Sequence, residues 1–140
     1  MKIGELARRT GCPVETIRYY ERQGLLPSPS RNNSNYRLYG QLHFERLTFI
    51  RNCRALDMTL EEVSRLLDMR DRPQASCALV STLVEEHIAH VEGRIQNLLA
   101  LHALLRELRG HCKGRHEKVA RCGIVVQLNS HGSASSLSID

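Results

Sequence analysis

The sequence predicts an all-α chain interrupted by one small hairpin and followed by a long helix built to pair with another long helix. Three observations lead there. The apolar residues are mainly Leu, Val, Ile and Ala, with only four Tyr, two Phe and no Trp in 140 residues, a palette that favours helix packing over an aromatic-rich β-sandwich. Turn formers crowd Ser28-Pro29-Ser30-Arg31-Asn32-Asn33-Ser34-Asn35, where the chain must reverse. From Leu79 to Arg109 there is no proline, and Gly93 is the single interior glycine.

The elements follow in order. Ile3, Leu6 and Ala7 recur at helical spacing and the segment stops at Gly11, a residue suited to a helix end. After the turn Gly11-Cys12-Pro13 a second helix begins, with Pro13 suited to its first turn. Val14, Ile17 and Tyr20 or Glu21 return to one side of it and leave Thr16, Arg18, Tyr19 and Arg22 on the others. Two short helices around a tight turn, the second bearing Thr, Arg and Tyr outward, suit a helix-turn-helix. The run after Gly24-Leu25-Leu26-Pro27, closing on Tyr36-Arg37-Leu38-Tyr39, then reads as a wing whose Arg31 and Arg37 can lie along a phosphate backbone.

A third helix is expected from about Gln41 to Leu56, with Leu42, Leu47, Ile50 and Cys53 among its apolar positions. Thr59-Leu60-Glu61-Glu62 has the capping-box pattern and should start a fourth, running to about Met69. The linker Arg70-Asp71-Arg72-Pro73-Gln74 closes this domain. In the long helix, Val84, Ile88, Val91, Ile95, Leu98, Leu101, Leu105 and Leu108 recur at steps of four or three, sustaining a coiled-coil seam for about three and a half heptads. Its 31 residues from Leu79 to Arg109 span ~46 Å at ~1.5 Å each, longer than a small domain is wide. The simplest partner is a second copy of the chain. A loop from His111 to Cys122 follows, then the apolar run Gly123 to Leu128, and a Ser- and Gly-rich end expected to be disordered. The domains read as 1–72 for DNA binding, 73–110 for linker and dimerisation helix, 111–128 for a metal loop and short apolar segment, and 129–140 as a tail.

Charge supports this division. Residues 1–55 hold ten Lys/Arg against four Asp/Glu, a net of +6, and residues 56–140 hold ten against eleven, together giving the formal +5. A cationic first module implies an anionic partner, nucleic acid first among them. No stretch approaches the roughly 20 apolar residues of a membrane span, and Glu5 interrupts any signal-like start. A cytoplasmic protein with no membrane partner is expected.

Five cysteines, Cys12, Cys53, Cys77, Cys112 and Cys122, are an odd set for a disulfide framework. Cys12 and Cys53 fall in the first turn and on an apolar helix face, where Cys behaves as a small hydrophobe. Cys77 precedes the long helix, and Cys112 and Cys122 follow it, so Cys77 and Cys112 of one chain lie on the order of 50 Å apart along a straight helix. In an antiparallel dimer the start of one helix meets the end of the other. Cys77 of one subunit would then approach Cys112 and Cys122 of its partner, and symmetry makes the site twice. Three thiolates suit soft ions: Cd(II), Pb(II), Hg(II) and, less distinctively, Zn(II). His111 or His116 could complete a tetrahedral zinc site. His87 and His90, three apart on the long helix, are read as surface residues.

Ile3-Gly4-Glu5-Leu6-Ala7, Glu15-Thr16-Ile17-Arg18-Tyr19-Tyr20-Glu21, Gly24-Leu25-Leu26-Pro27 and Asn35-Tyr36-Arg37-Leu38-Tyr39 resemble the DNA-binding domain of MerR-family transcriptional regulators. The likeness continues through Arg51-Asn52-Cys53-Arg54 and Leu56-Asp57-Met58-Thr59-Leu60. Asp57-Met58-Thr59-Leu60, Glu86-His87-Ile88 and the three thiols look most like its lead- and cadmium-responsive branch. Cys77 stands where the family's sensors of monovalent copper usually have Ser, which argues for a divalent ion. The His-rich tail of some cadmium regulators is absent, leaving His131 alone.

The resemblance implies a homodimer of winged helix-turn-helix heads on an antiparallel coiled coil. It also implies an over-long promoter spacer shared with RNA polymerase, and activation by DNA distortion on metal binding. Carried over, Thr16, Arg18 and Tyr19 of the second helix and Tyr36 and Arg37 of the wing should meet DNA. The rival classes are a metal-thiolate storage or chaperone protein and a small thiol-dependent detoxifying enzyme. The first leaves the helix-turn-helix unexplained; the second needs a redox dithiol, and no Cys-x-x-Cys occurs. No nucleophile–base pair, phosphate loop or carboxylate pair is present, so no enzyme is expected.

Overall fold

The structure, a computed structural model, describes residues 1–114 and 118–130. The chain falls into two compact units, Met1–Leu83 and Val84–Asp140.

The first unit opens with α1 (Ile3–Thr10) and α2 (Val14–Arg22) around a left-handed Gly11, φ 70°. Glycine is favoured there by its backbone, and the space beside it is tight. An L side chain is strained at that φ, and a Cβ would come within 3.2 Å of the Arg51 guanidinium, which donates to the Thr10 carbonyl and ties the turn to the third helix. Pro13 lies one residue before α2 (φ −58°, ψ 147°), a position its ring favours because the helix there needs no N–H from it.

The hairpin pairs β1 (Ser30–Arg31) with β2 (Arg37–Leu38) antiparallel, Ser30 opposite Leu38 and Arg31 opposite Arg37. Its tip is shaped by Asn32, whose Oδ1 accepts from the Ser34 and Tyr36 amides at 3.0 Å each, and by Asn35 at φ 65°. Asn is among the residues that tolerate this region.

α3 (Gln41–Ala55) and α4 (Leu60–Arg70) complete the unit with the first turns of α5 (Ala78–Arg109). The capping box at α4 is formed as the sequence implies: Thr59 Oγ1 accepts from Glu62 N at 3.1 Å and Glu62 Oε1 accepts from Thr59 N at 3.0 Å. Leu6, Ile17, Leu47, Ile50, Val63 and Leu83 are fully buried together, with Tyr39 and Leu67 nearly so. Burying each such aliphatic side chain stabilises the fold by ~1.5–3 kcal/mol. Cys12 and Cys53 belong to this core. Leu42 does not. Read among the apolar positions of α3, it is 75% exposed, because five residues turn it about 140° around the helix from Leu47.

The second unit holds the remainder of α5, a 3₁₀ turn at Val119–Arg121, and α6 (Gly123–Leu128). α5 has 32 residues, ~48 Å at ~1.5 Å each. Its seam is uncovered in the single chain: Val84, Ile88, Val91, Ile95, Leu98 and Leu105 are all exposed. His90 is exposed as expected, whereas His87, one turn beyond Leu83, is buried. The helical stripe that starts with Leu83 continues to it. The apolar run after Cys122 is helical. Among the described residues, no helix is long and apolar enough to cross a membrane. The expected tail disorder concerns mostly residues 131–140, which lie outside the described residues, as does His116.

Candidate nucleic-acid interface and metal loop

Five cations of the first unit, Lys2, Arg18, Arg22, Arg31 and Arg37, gather where α2 faces the hairpin. Arg18 of α2 lines two neighbouring concavities. One is shared with Glu21, Arg22, Ser28 and Arg37, the other with Lys2, Ile3, Arg31, Asn35, Tyr36 and Arg37. Arg18, Tyr36 and Arg37, singled out by the sequence, therefore meet where α2 faces the hairpin. Helical periodicity makes this happen. Ile17 and Tyr20 are buried, which turns Arg18 and Tyr19 outward. Thr16 and Tyr19 lie on α2 outside those two concavities. Thr16 is half-buried, and Tyr19, exposed, has the Arg22 guanidinium 6.0 Å from its ring centroid.

Lys2 was not among the residues the sequence singled out. Its Nζ lies 4.6 Å from the Tyr36 ring centroid, within cation–π range. The cause is a long-range pairing, Tyr39 N donating to the Met1 carbonyl at 2.7 Å, which no local pattern announces. Arg22 was legible as a polar-face residue of α2, yet nothing in the sequence showed it sharing a concavity with Arg37.

One carboxylate lies among these cations. Glu21 Oε1 accepts from the Tyr39 hydroxyl, and its Oε2 accepts from Arg37 Nη1 at 3.4 Å. Burial first, and then the hydrogen bond to Glu21, push the Tyr39 phenol up to about 12. Tyr39 thus stays a neutral donor throughout the physiological range.

The thiols divide by environment. Cys12 and Cys53 are buried, and burial pushes both thiols up. Metals bind the thiolate, so these two are poor ligands. Cys77 and Cys112 are exposed and Cys122 is partly so. Cys77 immediately precedes α5 in the first unit, and Cys112 and Cys122 belong to the second.

Cys112 follows the end of α5 and lines a concavity with Arg109, Lys113, Gly114 and Ile124. The loop that starts there closes on itself. A Cβ on Gly123 would overlap the His111 carbonyl oxygen and lie 2.8 Å from its carbon, so the backbones of His111 and Gly123 touch. Cys112 and Cys122 are the next residues inward from that neck. The two thiols flank one closure although nine residues separate them in sequence. Spacing alone did not reveal Gly123, whose role depends on what packs against it.

Comparison with known proteins agrees with this architecture. The model described as MerR HTH family regulatory protein matches residues 1–70, and that described as MerR, DNA binding matches residues 44–108. A ZntR homolog, an HTH-type transcriptional regulator of Haemophilus influenzae, is 46% identical over 109 residues, 78% of this chain and 81% of the relative. The mercuric resistance operon regulatory protein of Bacillus cereus is 36% identical across 91% of this chain and 96% of its own. Among solved structures, the transcription regulator PbrR691 of Ralstonia metallidurans CH34 in complex with lead(II) superposes with a TM-score of 0.82. It is 47% identical and covers 91% of this chain and 98% of that one. The chain belongs to the MerR family, as a metal-responsive transcriptional regulator and not an enzyme.

Proposed function

We propose that this chain is a homodimeric sensor of a soft divalent ion, lead(II) or cadmium(II) before mercury(II) or zinc(II). It would activate resistance-gene transcription from a promoter it shares with RNA polymerase. The observation that carries the metal half is the His111–Gly123 neck, which supports Cys112 and Cys122 acting on one ion. The third ligand is Cys77 from the other protomer of an antiparallel pair, a pairing supported by the uncovered seam of α5. That the lead(II)-bound regulator is the 47% identical structure favours lead and cadmium. Residues 1–72 serve DNA binding, 73–110 dimerisation and 111–128 metal capture.

When bound, the ion supplies a cross-link between thiolates of two subunits. The rest falls to the chain. Arg18 and Arg37 neutralise phosphates, Tyr36, Tyr19 and Thr16 add polar contacts from wing and helix, and mostly backbone contacts result. Two heads on one rigid coiled coil hold the duplex in a deformed shape, so that dimer geometry is read as DNA deformation energy. A ligand shifts such an equilibrium only by its differential affinity for the two states, and a site shared between subunits provides that difference.

Subunit complementation tests the ligand set. Cys77→Ser chains mixed with Cys112→Ser/Cys122→Ser chains form heterodimers with one complete site, whereas each parent has none. About one tightly bound lead(II) per heterodimer is expected. A heterodimer that binds no better than its parents would overturn the assignment.

A further inference from the structure

We propose that Glu21 is a specificity-determining residue of the DNA-binding surface. Its carboxylate, fixed among arginines, tethers Arg37 and repels phosphate that arrives out of register. The inference rests on the reading of α2 and the wing as the DNA interface.

Glu21 is an anomaly where it stands. A surface selected only for affinity to phosphate would carry no carboxylate. Yet among the described residues that line this concavity with Glu21, three are arginines, Arg18, Arg22 and Arg37, and Ser28 is the fourth. Nor is the carboxylate free to swing away. Its side chain is 12% exposed against 47% for Arg37, and it accepts from both the Tyr39 hydroxyl and Arg37. Tyr39 is 2% exposed and its amide is bonded to the Met1 carbonyl, so the tether reaches from the core to the surface.

Two consequences follow. The contact with Glu21 biases Arg37 toward one position before DNA arrives, which lowers the ordering cost of the registered complex. Phosphate entering the concavity in any other register meets a fixed negative charge, and at ~4 Å in water this weakens binding about fivefold. Non-specific complexes, carried by phosphate contacts alone, sample those registers and bear that loss. The operator complex avoids it by placing its phosphates against the exposed faces of the guanidinium groups.

The test uses the full chain and two duplexes of equal length. One is recovered by selection from a random pool, and the other is its scrambled sequence. Both are titrated over a range of salt. Glu21→Gln keeps the shape and an acceptor for Tyr39 but removes the charge. It should bind the scrambled duplex about fivefold tighter, with a steeper salt dependence, and gain less on the selected one, so that the specificity ratio falls. Glu21→Asp keeps the charge and should hold scrambled-duplex affinity within about twofold of the parent. Tyr39→Phe removes the tether and leaves the charge, so only selected-duplex affinity should drop. Equal changes on both duplexes, or Gln and Asp variants that behave alike, would overturn the proposal. Arg37→Ala in the same titration separates the two readings. If it alters neither duplex, the interface assignment itself fails. If it weakens binding while Glu21→Gln leaves the ratio unchanged, only the role of Glu21 fails.

Discussion

Replacing Gly123 with alanine tests the loop neck at the scale of a single methyl group. The added Cβ would overlap the His111 carbonyl oxygen and stand 2.8 Å from its carbon and 3.0 Å from the His111 Cβ. Non-bonded carbons prefer ~3.5–4.0 Å, so the carbonyl carbon must retreat by ~0.7 Å or more. Rotamer changes cannot relieve this, because the obstructing atoms nearest the methyl are backbone. The displacement falls on the residues adjoining Cys112 and Cys122. Metal–ligand distances tolerate only about ±0.2 Å, and loss of supporting contacts at metal sites typically weakens affinity 10–100-fold. A loss of that size in lead(II) affinity is expected by competition against a chelator. DNA binding by the metal-free protein should be unchanged, because neither His111 nor Gly123 belongs to the core cluster of the first unit. Unaltered lead(II) affinity in a folded Gly123→Ala protein would refute the claim that the neck positions the two thiols.

Three further outcomes are expected. Arg18→Ala and Arg37→Ala should each lower the salt slope of DNA binding by about one counterion while metal stoichiometry stays intact; an unchanged slope in both would remove them from the interface. Leu83→Ala, at a fully buried position, should destabilise the first unit by about 2–5 kcal/mol in urea unfolding, and a loss under 1 kcal/mol would show that α5 adds little to that core. Tyr39 has its phenol raised from 10.0 to about 12 in the fold. The folded state therefore holds that proton more tightly than the unfolded one. Its contribution is complete below pH 10 and is lost as pH rises toward 12, at up to about 1.4 kcal/mol per unit. Tyr39→Phe should show a correspondingly flatter stability profile over that window, and identical profiles would exclude the effect.

Local chemistry determined most of the elements before any packing was known. Gly11 ends α1 because glycine enters the left-handed region without strain, Thr59 and Glu62 start α4 because each side chain reaches the other's amide, and the steps of three and four from Val84 to Leu108 fit a helix with one apolar seam. These signals act within a few residues of each other, so a single sequence displays them. That Cys12 and Cys53 behave as small hydrophobes was legible from their places in a tight turn and on an apolar helix face, and the structure buries both.

Tertiary structure decided what depends on contacts between residues far apart in the chain. Lys2 reaches Tyr36 only because residues 1 and 39 pair. Glu21 becomes the partner of Arg37 and Tyr39 across a separation of 16 and 18 positions, although the helical pattern alone placed it only beside the apolar face of α2. Leu42 is apolar but lies five residues before Leu47, about 140° from it around the helix, so an apolar side chain in α3 did not by itself mean a core residue. Gly123 matters through the His111 carbonyl that lies against it. A residue's face is set by its neighbours in sequence, whereas its partner is set by how the whole chain closes its core.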